Sequence, residues 1–230
     1  MPVHIARVPV NKNAAKVEKN NPKAIRLFRA ALELDPAHED AHYYLGQCLA
    51  AEGQVDPALA QFEELTRLNP RSHRGFQQWG VLRACHARCD ADLAAAEKSL
   101  ERAHALNPEE TGALLVLGEV SLMRGDLPKA EERLQAVAHT NAKAVGAYFL
   151  RGYLAWQTGN SSQARALLDA ARQALGKDWQ PKGTTAEGDV RNKQHVEASP
   201  LARYWETWDG TNDPDRAFRP LAACLGNIQK

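Results

Sequence analysis

The apolar and small residues of this chain recur with a long, regular period. Glycines stand at Gly46, Gly80, Gly118 and Gly152, with spacings of 34, 38 and 34. Prolines stand at Pro36, Pro70 and Pro108, again 34 and 38 apart, so both series share one four-residue insertion. Twelve positions before each proline is a small residue: Ala24, Ala58 and Ala96. Eight before it is a bulky apolar one: Phe28, Phe62 and Leu100. A period of this length marks stacked supersecondary units, none of which can bury its apolar face alone. The pairs Gly53-Gln54, Gly125-Asp126 and Gly159-Asn160 predict tight turns within units, with a helix on either side.

In these residues the chain resembles the tetratricopeptide repeat family. That family's unit of about 34 residues carries an aromatic, Leu-Gly, Tyr, then Ala, Phe, Ala and Pro. Residues 39–72 supply Leu45-Gly46, Ala58, Phe62, Leu65 and Pro70. Residues 73–110 supply Phe76, Trp79-Gly80, Ala96, Leu100, Ala103 and Pro108. Residues 111–144 keep Leu114, Leu117-Gly118, Ala130, Leu134 and Val137, with Ala142 in place of proline. Residues 145–178 keep Tyr148, Gly152, Ala155, Ala164, Leu168 and Ala171, with Gly176 at the proline position. The resemblance implies an all-α fold, a right-handed α-solenoid of antiparallel helix pairs with a concave inner face.

The solenoid is expected over 22–178, as a half repeat at 22–38 followed by the four full units. Residues 1–21 read as irregular or degenerate, because Val8-Pro9-Val10-Asn11-Lys12 breaks helical logic and lacks the glycine. This leaves open whether the chain is complete. Asp56-Pro57 reads as an N-cap followed by proline at the first helical position, and Asp126-Leu127-Pro128 does similar work. The insertion falls between the helices of the second full unit, in Cys85 to Asp92. Cys85 and Cys89, four apart, would share a helix face and invite a metal reading with His86. No second ligand pair follows and zinc spacings are absent, so a longer hairpin is expected.

A different pattern follows residue 178, and residues 179–230 read as a loop and helical cap. Trp179 to Asp189 reads as a loop. Ser199-Pro200 reads as the start of a helix carrying Leu201, Tyr204, Trp205 and Trp208. Asp213-Pro214 starts a short helix with Phe218, Leu221 and Leu225, which Pro220 should kink or split. Three of the five tryptophans lie in this tail, a density that argues for packing onto the solenoid.

Composition narrows the function classes. The chain has 230 residues, and 29 Lys and Arg offset 28 Asp and Glu, for a formal net charge of +1. No basic run appears, so nucleic acid is not an expected partner. No stretch of 18 apolar residues occurs, so no membrane span is expected. The first residues lack the apolar core of a secretory signal. That fits a cytoplasmic protein, and equally a periplasmic one whose leader has been removed. Cys48, Cys85, Cys89 and Cys224 are too few for a disulfide scaffold and are expected as free, buried thiols.

Enzyme-like patterns do not hold together. Gly183 to Gly188 has the glycine spacing of a phosphate loop, but Asp189-Val190 stands where Lys and Ser or Thr are needed. Asp209, Asp213 and Asp215 do not follow EF-hand spacing, and turn and cap duties explain them. His195 near Glu187, Asp189 and Glu197 reads as solvated surface. No serine elbow, zincin helix or dinucleotide fingerprint is present. A non-catalytic protein without cofactor or metal is expected.

The resemblance places ligand-facing residues on the first helix of each unit. Carried over, they give Tyr43, Gln47, Arg74, Gln77, Leu115, Glu119, Leu122, Phe149, Tyr153 and Trp156 as a candidate peptide-binding groove. The groove is polar and amide-rich early, apolar and aromatic late. Some family members clamp a terminal carboxylate with Lys, Asn, Lys and Arg. Here Tyr43, Gln47 and Gln78 occupy three such positions and Arg74 is the cation nearby, which argues against a charge clamp. The late part suits an apolar helix or extended apolar peptide. An external peptide, the chain's own tail and a homodimer contact are three occupants it admits. The expected function is an interaction module or scaffold that binds a peptide or helix of a partner protein. The alternative is an accessory or assembly subunit of an enzyme system that contacts its partner through the tail, as in cytochrome c maturation-like factors, whose repeats look similar.

Overall fold

The computed structural model describes residues 21–176 and 199–228, and every regular element among them is a helix. They are α1 (Asn21–Leu34), α2 (Glu39–Ala51), α3 (Val55–Leu68), α4 (His73–Cys85), α5 (Asp90–Leu106) and α6 (Thr111–Met123). After them come α7 (Leu127–Thr140), α8 (Val145–Gln157), α9 (Ser161–Leu175), α10 (Ala202–Glu206) and α11 (Pro214–Ile228). Each of α1–α9 packs chiefly on its sequence neighbours, most extensively within the pairs α2/α3, α4/α5, α6/α7 and α8/α9. First helices also touch one another in turn, α2 on α4, α4 on α6 and α6 on α8, which gives an α-solenoid with a continuous inner row. Among the described residues no helix is long and apolar enough to cross a membrane.

Local chemistry sets the turns. Gly53, Gly125 and Gly159 have φ of +72°, +77° and +78°, the left-handed region that glycine enters without penalty. Around each, two backbone bonds close the preceding helix. The Gln54 N–H reaches Leu49 O at 2.9 Å, and Gly53 N–H reaches Ala50 O at 2.9 Å. This is a Schellman closure, which turns the chain back on itself in two residues. The α4–α5 hairpin carries the insertion and has no such glycine. Its turn is held by Asp92, which accepts from Arg88 N–H at 2.8 Å and pairs with Arg83 at 2.7 Å. Cys85 ends α4 and Cys89 caps α5, so the two thiols do not share a helix face. Cys48 is buried, Cys85 and Cys224 are half-buried and Cys89 is exposed, so burial is not the common state expected for all four.

Between units the chain turns on asparagine. Asn69, Asn107 and Asn141 end α3, α5 and α7 in extended conformation. Before Pro70 and Pro108 that conformation is favoured sterically. Asn141 adopts it before Ala142, because its side-chain Oδ1 accepts from Lys143 N–H at 3.0 Å. Asn69 makes the same Asx turn beside Pro70, accepting from Arg71 N–H at 3.0 Å, so the turn is held by the asparagine in both places. One helix start lies elsewhere than expected. α3 begins at Val55 with Gln54 as N-cap, so Asp56-Pro57 falls inside its first turn, where an acid and a proline are still tolerated. Asp126 caps α7 as expected and accepts from Lys129 N–H at 3.2 Å.

Packing within pairs depends on one glycine per unit. A Cβ at Gly46 would lie 2.6 Å from Phe62 Cε1, at Gly80 2.6 Å from Leu100 Cγ, and at Gly118 2.7 Å from Leu134 Cγ. Phe62, Leu100 and Leu134 are fully buried there. Gly152 differs, because its would-be Cβ meets Phe218 Cζ of α11 at 2.9 Å. At the other end α1 is a second helix with no first helix beside it among the described residues, and Leu27 and Leu34 are exposed. The irregular segment expected over 1–21 lies, save Asn21, outside the described residues, as does the loop expected from Trp179 to Asp189.

An ion-pair network ties α5 to α7. Glu97 accepts from Lys129 Nζ at 2.8 Å, Arg133 Nη1 at 2.9 Å and the Arg124 guanidinium. Arg133 Nη1 also reaches Leu117 O at 3.1 Å and Ser121 Oγ at 2.8 Å, and its Nη2 reaches Glu101 at 2.7 Å. Burial pushes the Glu97 carboxyl up, but Lys129 and Arg133 more than offset it and hold it at about 2.

Gly80→Val forces a side chain against Leu100 and the Ala96 carbonyl, and should lower stability by about 2–3 kcal/mol, read from the urea midpoint. Because the folded Glu97 is depressed to about 2, its contribution is full above the ordinary carboxylate range and is lost as pH falls through that value. The stability gap between wild type and Glu97→Gln should therefore be constant from pH 8 to 5 and shrink between pH 4.5 and 2, measured by denaturant unfolding across pH.

Candidate functional site

The inner row of first helices carries the candidate residues, and the two halves of that row have different surroundings. In the early half, α2 and α4 face one another. The Arg74 guanidinium lies over the Tyr43 ring, 3.7 Å from its centroid, and its Nη1 is 3.7 Å from Asp40 Oδ1. Gln47 Nε2 donates to Tyr43 Oη at 2.9 Å. Gln77 Nε2 reaches across to α6, where the space over Gly112 receives it at 2.8 Å from an ideal Cβ. Arg74 is exposed, while Tyr43, Gln47, Gln77 and Leu115 are half-buried. The result is a polar platform of one exposed cation, the Tyr43 and Tyr44 rings and two half-buried amides.

The late half is covered by the chain itself. α11 packs on α6, α8 and α9, and α10 packs on α8. Phe218 enters the groove with its ring 5.1 Å from Phe149, 6.0 Å from Tyr153 and 6.1 Å from Trp156. The Trp208 ring lies 5.7 Å from that of Phe149. Trp205 sits over Gly146, where an added Cβ would be 2.9 Å from the indole. The Trp156 indole N–H donates to Asp215 Oδ1 at 3.1 Å, and Asn212 Nδ2 donates to Asp169 at 3.0 Å. Leu122, Phe149 and Tyr153 are buried and Trp156 is half-buried. Of the three occupants the groove admits, the one seated there is the tail.

The tail's elements differ from expectation in extent. The helix expected across Leu201 to Trp208 is only α10, capped by Leu201, with Trp208 beyond its end. Pro220 lies inside α11 without splitting it. It is on the exposed side, where water can satisfy the carbonyl one turn earlier. Asp209 and Asp213 serve turns, accepting from Thr211 N–H at 3.0 Å and Asp215 N–H at 3.1 Å. Among the described residues no three His, Cys, Asp or Glu side chains converge as metal ligands. The Gly183–Gly188 and His195 patterns lie outside the described residues. Sequence reasoning did not connect Ser199, Leu201 or Asp215 with the groove. One signal was present: α6, Thr-Gly-Ala-Leu-Leu-Val-Leu-Gly-Glu-Val-Ser-Leu-Met, is apolar all round, which requires cover on its inner side as well.

Glu119 lies at the centre of that cover and is completely buried. Its Oε2 accepts from Leu201 N–H at 2.9 Å. Burial drives its carboxyl up to about 8, with the Leu201 amide and the nearby Ser199 hydroxyl pulling the other way. The Ser199 hydroxyl falls short of hydrogen-bond geometry, and neither its Oγ nor Glu119 Oε1 has a hydrogen-bond partner among the described residues. At neutral pH Glu119 is therefore mostly a neutral acid under the tail.

Residues 18–77 and 90–150 match the family described as tetratricopeptide repeat, and a second tetratricopeptide repeat pattern matches 124–178. The chain belongs to the tetratricopeptide repeat family, a class of helical protein–protein interaction modules. Solved structures share the fold. PilF of Pseudomonas aeruginosa is 21% identical, with a TM-score of 0.62, covering 89% of this chain and 90% of that one. MamA from Desulfovibrio magneticus RS-1 is 16% identical, with a TM-score of 0.64, covering 73% and 94%. YrrB, described as a TPR protein with an unusual peptide-binding site, is 22% identical, with a TM-score of 0.58, covering 72% and 84%. No curated protein matches the chain in sequence.

The Glu119 carboxyl is raised from the ordinary range to about 8 under the tail. Docking is thus most favoured below about pH 4.5 and weakens as pH rises through 8. Amide exchange in residues 202–226, corrected for the intrinsic rate, should accelerate from pH 6 to 9. Glu119→Gln, neutral throughout, should flatten that dependence.

Proposed function

We propose that this chain is a non-catalytic interaction module that holds a segment of a partner protein on its concave face. The observation that carries the reading is the polar platform of α2 and α4. There Arg74 is already stacked on Tyr43, and the Gln47 and Gln77 amides stand beside it. Amides spaced along an inner row can hydrogen-bond an extended peptide backbone, and a stacked guanidinium adds a fixed donor fork for a carboxylate or carbonyl. Leu115 supplies an apolar contact at the far edge of the platform. Pre-ordering of Arg74 by the ring reduces the entropy lost on binding.

Contact through the tail, as an accessory or assembly subunit, has less support. The tail's large apolar residues, Leu201, Trp208, Phe218 and Leu221, face the solenoid and are buried there. They are not presented to a partner while the tail is seated.

The test is a photo-crosslinking residue in place of Gln77, in cells that make the protein. A discrete adduct is expected, and Arg74→Glu in the same chain should reduce its yield at least tenfold with helicity unchanged. An adduct pattern indifferent to Arg74→Glu overturns the reading.

A further inference from the structure

The first described helix lacks the neighbour that every other second helix of the solenoid has. In the four full units, the residue that corresponds to Leu27 touches the first helix of its own unit. Gln61 Oε1 is 2.9 Å from His42 Nδ1, Ser99 Oγ donates to Phe76 O at 2.8 Å, and Arg133 Nη1 donates to Leu117 O at 3.1 Å. In the last unit Leu167 Cβ lies 3.5 Å from an ideal Cβ at Gly152. Position 27 therefore faces the seat of a first helix, and no described helix takes that seat. Leu27 is 59% exposed and Leu34 76%, and among the described residues these are the large apolar side chains that stay exposed. Both lie on α1, seven residues apart.

The surface around them is self-complementary. Residues seven apart share a row along a helix. Three adjacent rows of α1 hold Leu27 with Leu34, Lys23 with Ala30, and Arg26 with Glu33. All six residues are exposed, and none of Lys23, Arg26 and Glu33 forms an ion pair with a described residue. The opposite side of α1 is already committed. Ala24, Ile25 and Phe28 are buried, and the Phe28 ring stacks on Tyr44 of α2 at 5.8 Å.

A second copy turned about a two-fold axis, so that the two α1 helices run antiparallel, matches these rows. Leu27 meets Ala30 of the second copy, Leu34 meets the alkyl stem of its Lys23, and Arg26 meets its Glu33. Each contact occurs twice, as a two-fold interface requires. A large residue against a small one lets the helices approach closely, as the glycines do within a unit. The Lys23 stem covers Leu34 while its ammonium stays in water. A parallel pairing sets Arg26 on Arg26 and Glu33 on Glu33, and like charges disfavour it. The two helices of each unit are antiparallel as well, so a second α1 arrives in the direction that the seat requires.

We infer that the exposed face of α1 is a self-association surface, on which a second copy of this chain docks through its own α1, antiparallel about a two-fold axis. The inference goes beyond partner binding on the concave face and does not rest on it. One helix face per copy is a small interface, so the dimer is weak, with a dissociation constant on the order of 10 μM. It carries two copies of the platform on α2 and α4.

Sedimentation equilibrium of the full chain across the micromolar range tests this. A monomer–dimer equilibrium is expected for the wild type, and Leu27→Asp should weaken it at least tenfold with helicity unchanged. Arg26→Glu alone and Glu33→Arg alone each set like charges opposite one another, and each should weaken self-association at least tenfold. Mixed one to one, these two variants should associate at least as tightly as the wild type, because every opposed pair again has opposite signs. A wild type that stays monomeric throughout overturns the proposal, and a lowered urea midpoint of Leu27→Asp then gives the face to residues 1–20 of the same chain. A dimer that Leu27→Asp leaves intact overturns it too, because the contact then lies elsewhere. Failure of the mixture to associate, with each variant alone monomeric, overturns the antiparallel docking.

Discussion

The close approach of paired helices at one glycine per unit is the constraint on which the rest depends. Phe62, Leu100 and Leu134 occupy the space that a Cβ at Gly46, Gly80 or Gly118 would take. Removing that Cβ brings two backbones together, and the large side chain fills the gap between them at interior density. The period of the sequence is the period of this contact. In the last unit Gly152 meets Phe218, which arrives from outside the repeats. The solenoid's end is thus completed by a distant segment that inserts an aromatic residue at the equivalent glycine.

Two buried acids show how surroundings decide the role of one functional group. Glu97 sits among Arg124, Lys129 and Arg133, and stays ionised in a network that joins α5 to α7. Glu119 has one backbone N–H and no cation, and becomes a neutral acid. The first locks neighbouring units together and responds to acid. The second lies between solenoid and tail and responds to alkali. The pH ranges differ because charge compensation exceeds desolvation at Glu97 and falls short of it at Glu119.

The same inner row is divided into two surfaces. Near α2 and α4 it is polar and half-buried, with Arg74 exposed and stacked on Tyr43. Near α6 and α8 it is apolar and filled by an aromatic cluster of Phe149, Tyr153, Trp156 and Phe218. This division explains why an interaction module can carry so apolar a groove without exposing it. Large uncovered apolar patches are uncommon on proteins that do not aggregate.

The array of helix pairs was legible in the residues themselves. Its glycines, small residues and turn pairs act within about 40 residues of one another, through sterics that any copy of the unit obeys. The lost proline at Ala142 did not disturb it, because the Asx turn that Asn69 makes beside Pro70 is also made by Asn141. What the late groove contains was not legible. Position in the repeat assigns Phe149, Tyr153 and Trp156 to the first helix of their unit, but periodicity carries no information on the non-repeating segment that covers them. That Phe218 would seat against Gly152, and that Leu201 would give its N–H to Glu119, followed only from the three-dimensional path of the tail. Local propensity decides which segments become helices. Which apolar face covers which is decided by the whole set of faces left unburied, and that set exists only once the chain has folded.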